Sequence, residues 1–362
     1  TIVTFDSKYK VLSNGTLKSE KKNKNGTSTW HYAMTHPHAG YLLMLGIGEY
    51  AVKSAKTKRG VPYHFWYYPD QEYRVEPTFR HMAEMIDFME EETGINYPWE
   101  SYSQIMVQDF LYGAMENTTA TIFGDFFYVD ERSFTERNYV GVNCHELVHQ
   151  WFGDYITHRS NADIWLHESY ATFYPKLFNK TLLGDDAYSW QERGEANAAL
   201  AASLRDDYPV RHTKGGTTRV YPKGSHVIAM LRYVYGEEEF NKVINHYLKK
   251  HGYKNVETND LYQAFQDVLG VSPDWFFEQW VYRGGEPHYK VSYEKIQKNE
   301  RSFIRVHVKQ THKMDHVIGT FKMPVNFAVY FKDGKKIIEK HWISKEEEFV
   351  DIEVKNADIA FV

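Results

Sequence analysis

The chain has 362 residues, 42% hydrophobic and 25% charged, which excludes pervasive disorder and is enough for two or three domains. A net charge of -5 without long blocks of one sign argues against nucleic acid as a partner, and no run approaches the ~18 apolar residues that crossing a bilayer requires. The single cysteine, Cys144, excludes a disulfide framework and any multi-cysteine metal site, so a metal must be held by carboxylates and the 18 histidines.

The sequence opens at Thr1 with no Met and no signal-peptide pattern and reads as strand at once, so its natural N-terminus is expected to be missing and its compartment is unknown. Residues 1–65 alternate apolar and polar in short runs broken by Asn14-Gly15 and Asn25-Gly26, a β-hairpin pattern. Phe79, Met82, Ile86 and Met89 then repeat at helical spacing, with Pro77 suited to a first helical position and Gly94 to the residue past the end. Residues 104–109 and 118–129 read as hairpin strands beside a cleft. From Val140 a helix presents Val140, Cys144, Leu147, Val148 and Trp151 on one face and stops at Gly153. Further helices are predicted over 164–174, 225–235, 237–250, 258–269 and 273–282. After Gly284-Gly285, Ile304, Val306 and Val308 alternate with Phe303, Arg305 and His307, and residues 287–362 read as a small antiparallel β-domain. The fold class is therefore α+β and multidomain.

Within the helix at Val140, His145-Glu146-Leu147-Val148-His149 form an HExxH pattern. A chain of this composition matches by chance roughly 0.12 times, so the context decides. Positions four apart share a helix face, and both imidazoles can converge on one ion with Glu146 beside them. A catalytic zinc commonly takes three protein ligands and keeps a fourth position for water. Glu168, on the next predicted helix, is placed to return opposite the histidines as the third. Cys144 lies about 100° away around the helix and reads as core; His158 and His167 read as hydrogen-bonded or exposed histidines.

These residues carry a resemblance. His145 to His149 followed by Gln150-Trp151-Phe152-Gly153, then Trp165-Leu166-His167-Glu168, is similar to the gluzincin metallopeptidases of the M1 aminopeptidase family. Gly113-Ala114-Met115-Glu116-Asn117 matches that family's GAMEN motif letter for letter. Val11-Leu12-Ser13-Asn14-Gly15 resembles the end of its N-terminal β-domain, and Tyr221-Pro222-Lys223-Gly224 its YxKG segment. The resemblance implies a partial N-terminal β-domain over 1–65, a thermolysin-like, mostly α catalytic domain over 66–286 and a C-terminal β-sandwich over 287–362. It implies a zinc aminopeptidase with one Zn2+ per chain, held by His145, His149 and Glu168, acting on peptides with a free N-terminus. Glu146 would be the general base, and Tyr221 would donate a hydrogen bond to the developing oxyanion. Glu116 would hold the substrate ammonium, which titrates near ~7.7 to 8.0 and wants a carboxylate partner. Gly113 and Ala114 would offer backbone to an extended peptide, as a sheet edge does, with Asn117 completing the substrate-binding segment. Tyr112 and Met115 would wall the first specificity pocket.

The chain departs from the family pattern at His167, where Asn is usual, and at Pro175, where a carboxylate is common. The first part of the family's N-terminal domain and the helical C-terminal domain of many members are expected to be absent. Two rival readings remain at this stage: a zinc hydrolase of a non-peptide substrate such as a lipid epoxide, and a peptide-binding scaffold inactive in this truncated form. Preferred side chain and oligomeric state stay open.

Overall fold

The computed structural model describes residues 1–205, 207–315, 318–355 and 358–362. Five short strands come first: β1 (Ile2–Asp6), β2 (Lys10–Ser13), β3 (Thr16–Lys22), β4 (Thr27–Ala33) and β5 (Leu45–Gly48). β3 and β4 form a hairpin across Asn25-Gly26, β1 pairs with the other side of β4, and β2 pairs with β5. Ser28, Trp30 and Tyr32 are the buried residues of β4, the period-two signature of a half-buried strand. Trp30 and Tyr32 join Val11, Leu12, Met44 and Trp66 in one core.

β6 (Ala51–Lys56), β7 (Pro62–Tyr67), β8 (Tyr102–Val107), β9 (Ala114–Met115) and β10 (Ala120–Gly124) build a mixed sheet in the order β6-β7-β8-β10-β9. The hairpin expected from residues 104–109 and 118–129 is not formed: β8 and β10 run parallel. Parallel strands need a crossover of about a dozen residues, and residues 108–119 supply it. That crossover returns as β9, antiparallel to β10, so the GAMEN segment lies on the sheet edge.

The helix expected to begin at Pro77 is instead two helices, α1 (Glu72–Thr78) and α2 (Met82–Thr93). Pro77 is buried in the last turn of α1. Phe79 stacks on Phe65 with ring centres 4.6 Å apart, and this packing on the sheet turns the chain before α2 can start. Gly94 caps α2 in the left-handed conformation, as expected.

Then follow α3 (Val140–Val148), β11 (Ile156–His158), α4 (Trp165–Leu183), α5 (Asp185–Ser203), α6 (Gly224–Tyr235), α7 (Glu237–His251), β12 (Lys254–Val256), α8 (Thr258–Leu269) and α9 (Asp274–Phe277). Val140, Cys144, Leu147, Val148 and Trp151 are all buried, so the apolar face of α3 is the one its spacing predicts. α4 runs past its expected end at residue 174 and through Pro175, because Tyr174, Pro175 and Phe178 continue its buried face.

α5 is not anticipated by apolar periodicity, since charge helps to hold it. Lys176 of α4 is fully buried and pairs with Glu192 and with Glu195, the latter at 2.5 Å; His226 of α6 lies 3.0 Å from Glu192. Lys176→Ala strands Glu195 and leaves Glu192 with His226 alone, and should lower the unfolding free energy by about 3–5 kcal/mol, measured by denaturant titration; a change under about 1 kcal/mol would show that the network contributes little.

The remaining strands are β13 (Tyr289–Lys298), β14 (Arg301–Gln310), β15 (Met323–Phe331), β16 (Lys336–Ile343), β17 (Glu347–Val354) and β18 (Ile359–Phe361). They form two three-stranded sheets, β13-β14-β17 and β16-β15-β18. Ile304, Val306 and Val308 of one sheet share a core with Phe327, Val329 and Ile343 of the other. The chain divides into two compact units, one of Thr1–Ala199 with Thr213–Val271 and one of Leu200–His212 with Ser272–Val362. The fold is α+β and multidomain. Among the described residues no helix is long and apolar enough to cross a membrane.

Candidate metal centre

The first unit holds the HExxH segment. His145 lies in the last turn of α3 and His149 caps it. Their Nε2 atoms are 3.1 Å apart, and each is 3.4 Å from Glu168 Oε2, delivered by the first turn of α4. Zinc bonds to nitrogen and oxygen of about 2.0–2.2 Å in a tetrahedron set ligand atoms roughly 3.3–3.5 Å from one another, so these three donors have the spacing of a zinc ligand set. Glu168 Oε2 is buried and makes no hydrogen bond, and a buried carboxylate oxygen without a donor asks for a cation.

Second contacts orient these donors. His149 Nδ1 lies 2.9 Å from the Phe152 carbonyl oxygen, which can only accept, so Nδ1 carries the proton and Nε2 keeps its lone pair for a metal. Gly153 has φ +142, and a Cβ there would come within 3.2 Å of His149 Nδ1 and 3.5 Å of His167 Nδ1. Burial disfavours charge on His149, but Glu116 and Glu168 outweigh it and push its pKa well up. Burial likewise opposes charge on Glu168, yet the two histidines hold its pKa well below the usual carboxylate range. Both shifts have one cause, the mutual attraction of the histidines and the carboxylates gathered here.

Glu146 is buried beside the ligands, and burial pushes its carboxyl up to about 7 against the opposing pull of His145 and His149. Glu116, just past β9, forms a second group with Glu146 and His149 whose donor atoms lie within 4.8 Å of one another. The Tyr221 ring stacks on His145 at 5.7 Å and 7°, and its hydroxyl is kept protonated by burial and the charge of Glu168. A π-type turn over Arg219–Lys223 presents this tyrosine. It can pack onto α4 only because Gly224 has no side chain: a Cβ would sit 1.9 Å from Ser169 Oγ, which donates to the Val220 carbonyl. A cavity of 320 Å³ opens beside His145 and Tyr221 and reaches Thr172, Pro175 and Gln191.

The GAMEN segment is fixed to α3 by Gln150, which follows the second histidine. Its side-chain amide donates to the Glu116 carbonyl at 3.2 Å and to Asp154 at 2.7 Å, while its oxygen accepts from Thr119 N–H at 2.9 Å. Gly113 accepts from Gly124 N–H at 2.7 Å, and Ala114 and Met115 pair with Phe123 and Ile122. Asn117 donates to the Leu42 carbonyl at 3.2 Å. Tyr112 stands at the exposed tip of the crossover, 81% exposed, and is not drawn in towards the histidines. Cys144 is buried, where the apolar surroundings raise its thiol pKa. His158 and His167 meet each other: the His158 backbone N–H donates to His167 Nε2 at 2.7 Å. Sequence reasoning gave no role to Gln150 or Asp154, both buried; for Gln150 the available signal was its place directly between His149 and Trp151, within the segment that resembles the family.

Residues 78–280 match the peptidase family M1 domain. The chain belongs to peptidase family M1. It is 28% identical to the tricorn protease-interacting factor F2 of Thermoplasma volcanium over 92% of this chain and 43% of that protein. It is 26% identical to an aminopeptidase N of Haemonchus contortus over 98% of this chain and 39% of that one. The crystal structure of Legionella pneumophila aminopeptidase A in complex with aspartic acid superposes with a TM-score of 0.81 at 19% identity, covering 97% of this chain and 42% of that chain, a likeness of fold. This M1 chain thus spans less than half the length of these relatives.

Proposed function

We propose that the chain is a zinc aminopeptidase that removes the N-terminal residue from peptides, with one zinc held by His145, His149 and Glu168. The observation that carries this reading is Glu116, a carboxylate beside the sheet edge whose donor atom lies within 4.8 Å of those of Glu146 and His149. A substrate ammonium paired with Glu116 puts its own first peptide bond, and no later one, against Glu146 and the ligand set.

When bound, zinc supplies Lewis-acid polarisation of the scissile carbonyl and of the attacking water. Glu146 takes a proton from that water as the new carbon–oxygen bond forms, and returns it to the amine as the carbon–nitrogen bond breaks. Its raised pKa suits a group that must both accept and release a proton near neutrality. Tyr221, held neutral, donates a hydrogen bond from its hydroxyl to the developing oxyanion. The exposed edge of β9 takes the peptide backbone, and Met115 borders the first side chain. The cavity beside Tyr221 receives the residue past the cleaved bond.

A non-peptide hydrolase gives Glu116 no partner, and an inactive scaffold gives Glu146 none. Aminoacyl anilides assayed beside their N-acetylated forms test the proposal: the free amines should be cleaved and the acetylated ones spared, and equal cleavage would refute an exopeptidase. Glu116→Ala should raise KM for the free amine about 10- to 100-fold, the loss of a charge-assisted pair, with little change in thermal stability.

A further inference from the structure

Tyr41 reaches the centre from the N-terminal strands, a part of the chain to which no site residue has so far been assigned. It sits in the middle of a single 3₁₀ turn, Gly40–Leu42. That turn is clamped from two sides, because the Leu42 carbonyl accepts from Asn14 Nδ2 at 3.0 Å and from Asn117 Nδ2 at 3.2 Å. Asn117 is the last residue of the GAMEN segment, so one hydrogen bond joins the residue after Glu116 to the residue after Tyr41. Leu42 is buried while the Tyr41 side chain is left 49% exposed, so packing does not account for a ring at this position. Burial first, and then the charges of Glu116, Asp154 and Glu168, push its hydroxyl pKa well up, so the hydroxyl lies within reach of those carboxylates, and the ring centroid is 6.5 Å from that of His158. His158 is itself pinned to His167, the neighbour of Glu168.

A half-exposed aromatic ring within reach of several carboxylate charges can wall a cation site, with the carboxylates supplying charge and the ring a polarisable, poorly hydrated surface. We propose that Tyr41 forms a wall of the α-amine subsite and, together with Glu116, receives the ammonium of the substrate. The inference rests on the aminopeptidase reading and adds to it a ligand-binding residue from outside the segment that carries the metal ligands. It also gives the two asparagines a shared purpose, since Asn14 and Asn117 hold the turn that aims the ring.

The test compares two ligands on the zinc-loaded protein by calorimetry: leucine hydroxamate, and 4-methylpentanoyl hydroxamate, which keeps the side chain and the chelating group but lacks the amine. The wild type should prefer the amine. Tyr41→Ala should weaken the amine-bearing ligand about 3- to 30-fold and leave the amine-free ligand unchanged. Tyr41→Phe divides the effect between ring and hydroxyl, and Glu116→Ala is the positive control. A merely structural Tyr41 would move both ligands alike, which overturns the proposal, as does a preference that survives Tyr41→Ala. A wild type without any preference overturns the aminopeptidase reading as well, so the two failures are distinguishable.

Discussion

Glu146→Gln is expected to bind zinc as the wild type does and to lose about 10²- to 10⁴-fold in kcat, the usual contribution of a positioned general base. The substitution keeps the shape and removes only the ability to accept a proton. Glu146 is not one of the three converging donors, so metal content should stay constant, as measured by elemental analysis of the purified protein. Folding should also survive. Burial already raises the carboxyl pKa to about 7, and a neutral amide in that place strands no charge. KM should change little, because the proposed partner of the ammonium is Glu116. Full activity at unchanged zinc content would remove Glu146 from the mechanism and leave the proton without an acceptor among the buried groups beside the ligands.

The residues around the candidate metal centre differ in how far the chain alone reveals them. Metal chemistry demands particular residue types at a helical spacing, so His145, His149 and the acidic residue on the following helix were legible from chemistry alone. Glu116 became legible only through the whole GAMEN segment, since an isolated glutamate after a strand has no distinguishing mark. Tyr221 was out of reach for residue-by-residue reasoning: it is one of 28 tyrosines, and what singles it out is a π-type turn that lays its ring on His145. Tyr41 was hidden for the same reason, because its place depends on hydrogen bonds from Asn14 and Asn117 across distant parts of the chain.

The fold shows the same division. Alternation in β4 and β14 and the apolar face of α3 followed from period, since burial of one face is what produces the period. The direction of β10 relative to β8 did not, because an alternating strand looks alike in parallel and antiparallel pairs. α5 escaped because buried ion pairs through Lys176 leave little trace in an apolar pattern. Pro77 misled because the packing of Phe79, not the proline, sets where the chain turns.

His149→Ala should abolish both zinc binding and activity, and chelation should then cease to affect stability. Catalytic zinc needs three protein ligands, and the variant keeps two. In the wild type, zinc at 100-fold its dissociation constant adds about 2.7 kcal/mol to the folded state, so a chelator should lower the Tm of the loaded protein measurably and that of the variant not at all. The variant also loses the hydrogen bond from His149 to the Phe152 carbonyl, so its own Tm should lie below that of the metal-free wild type by the equivalent of about 1 kcal/mol. The comparison must therefore be made between metal-free forms before it is made between loaded ones. One ambiguity follows from the geometry itself: His149 belongs to both groups that could hold a metal, one with His145 and Glu168, the other with Glu116 and Glu146. His149→Ala empties either. Glu168→Gln separates them, because it removes a donor from the first group only. Loss of zinc in Glu168→Gln with retention in Glu116→Gln assigns the ion to the histidine pair and frees Glu116 for the substrate; the reverse pattern would move the metal onto Glu116 and end its role as the ammonium partner.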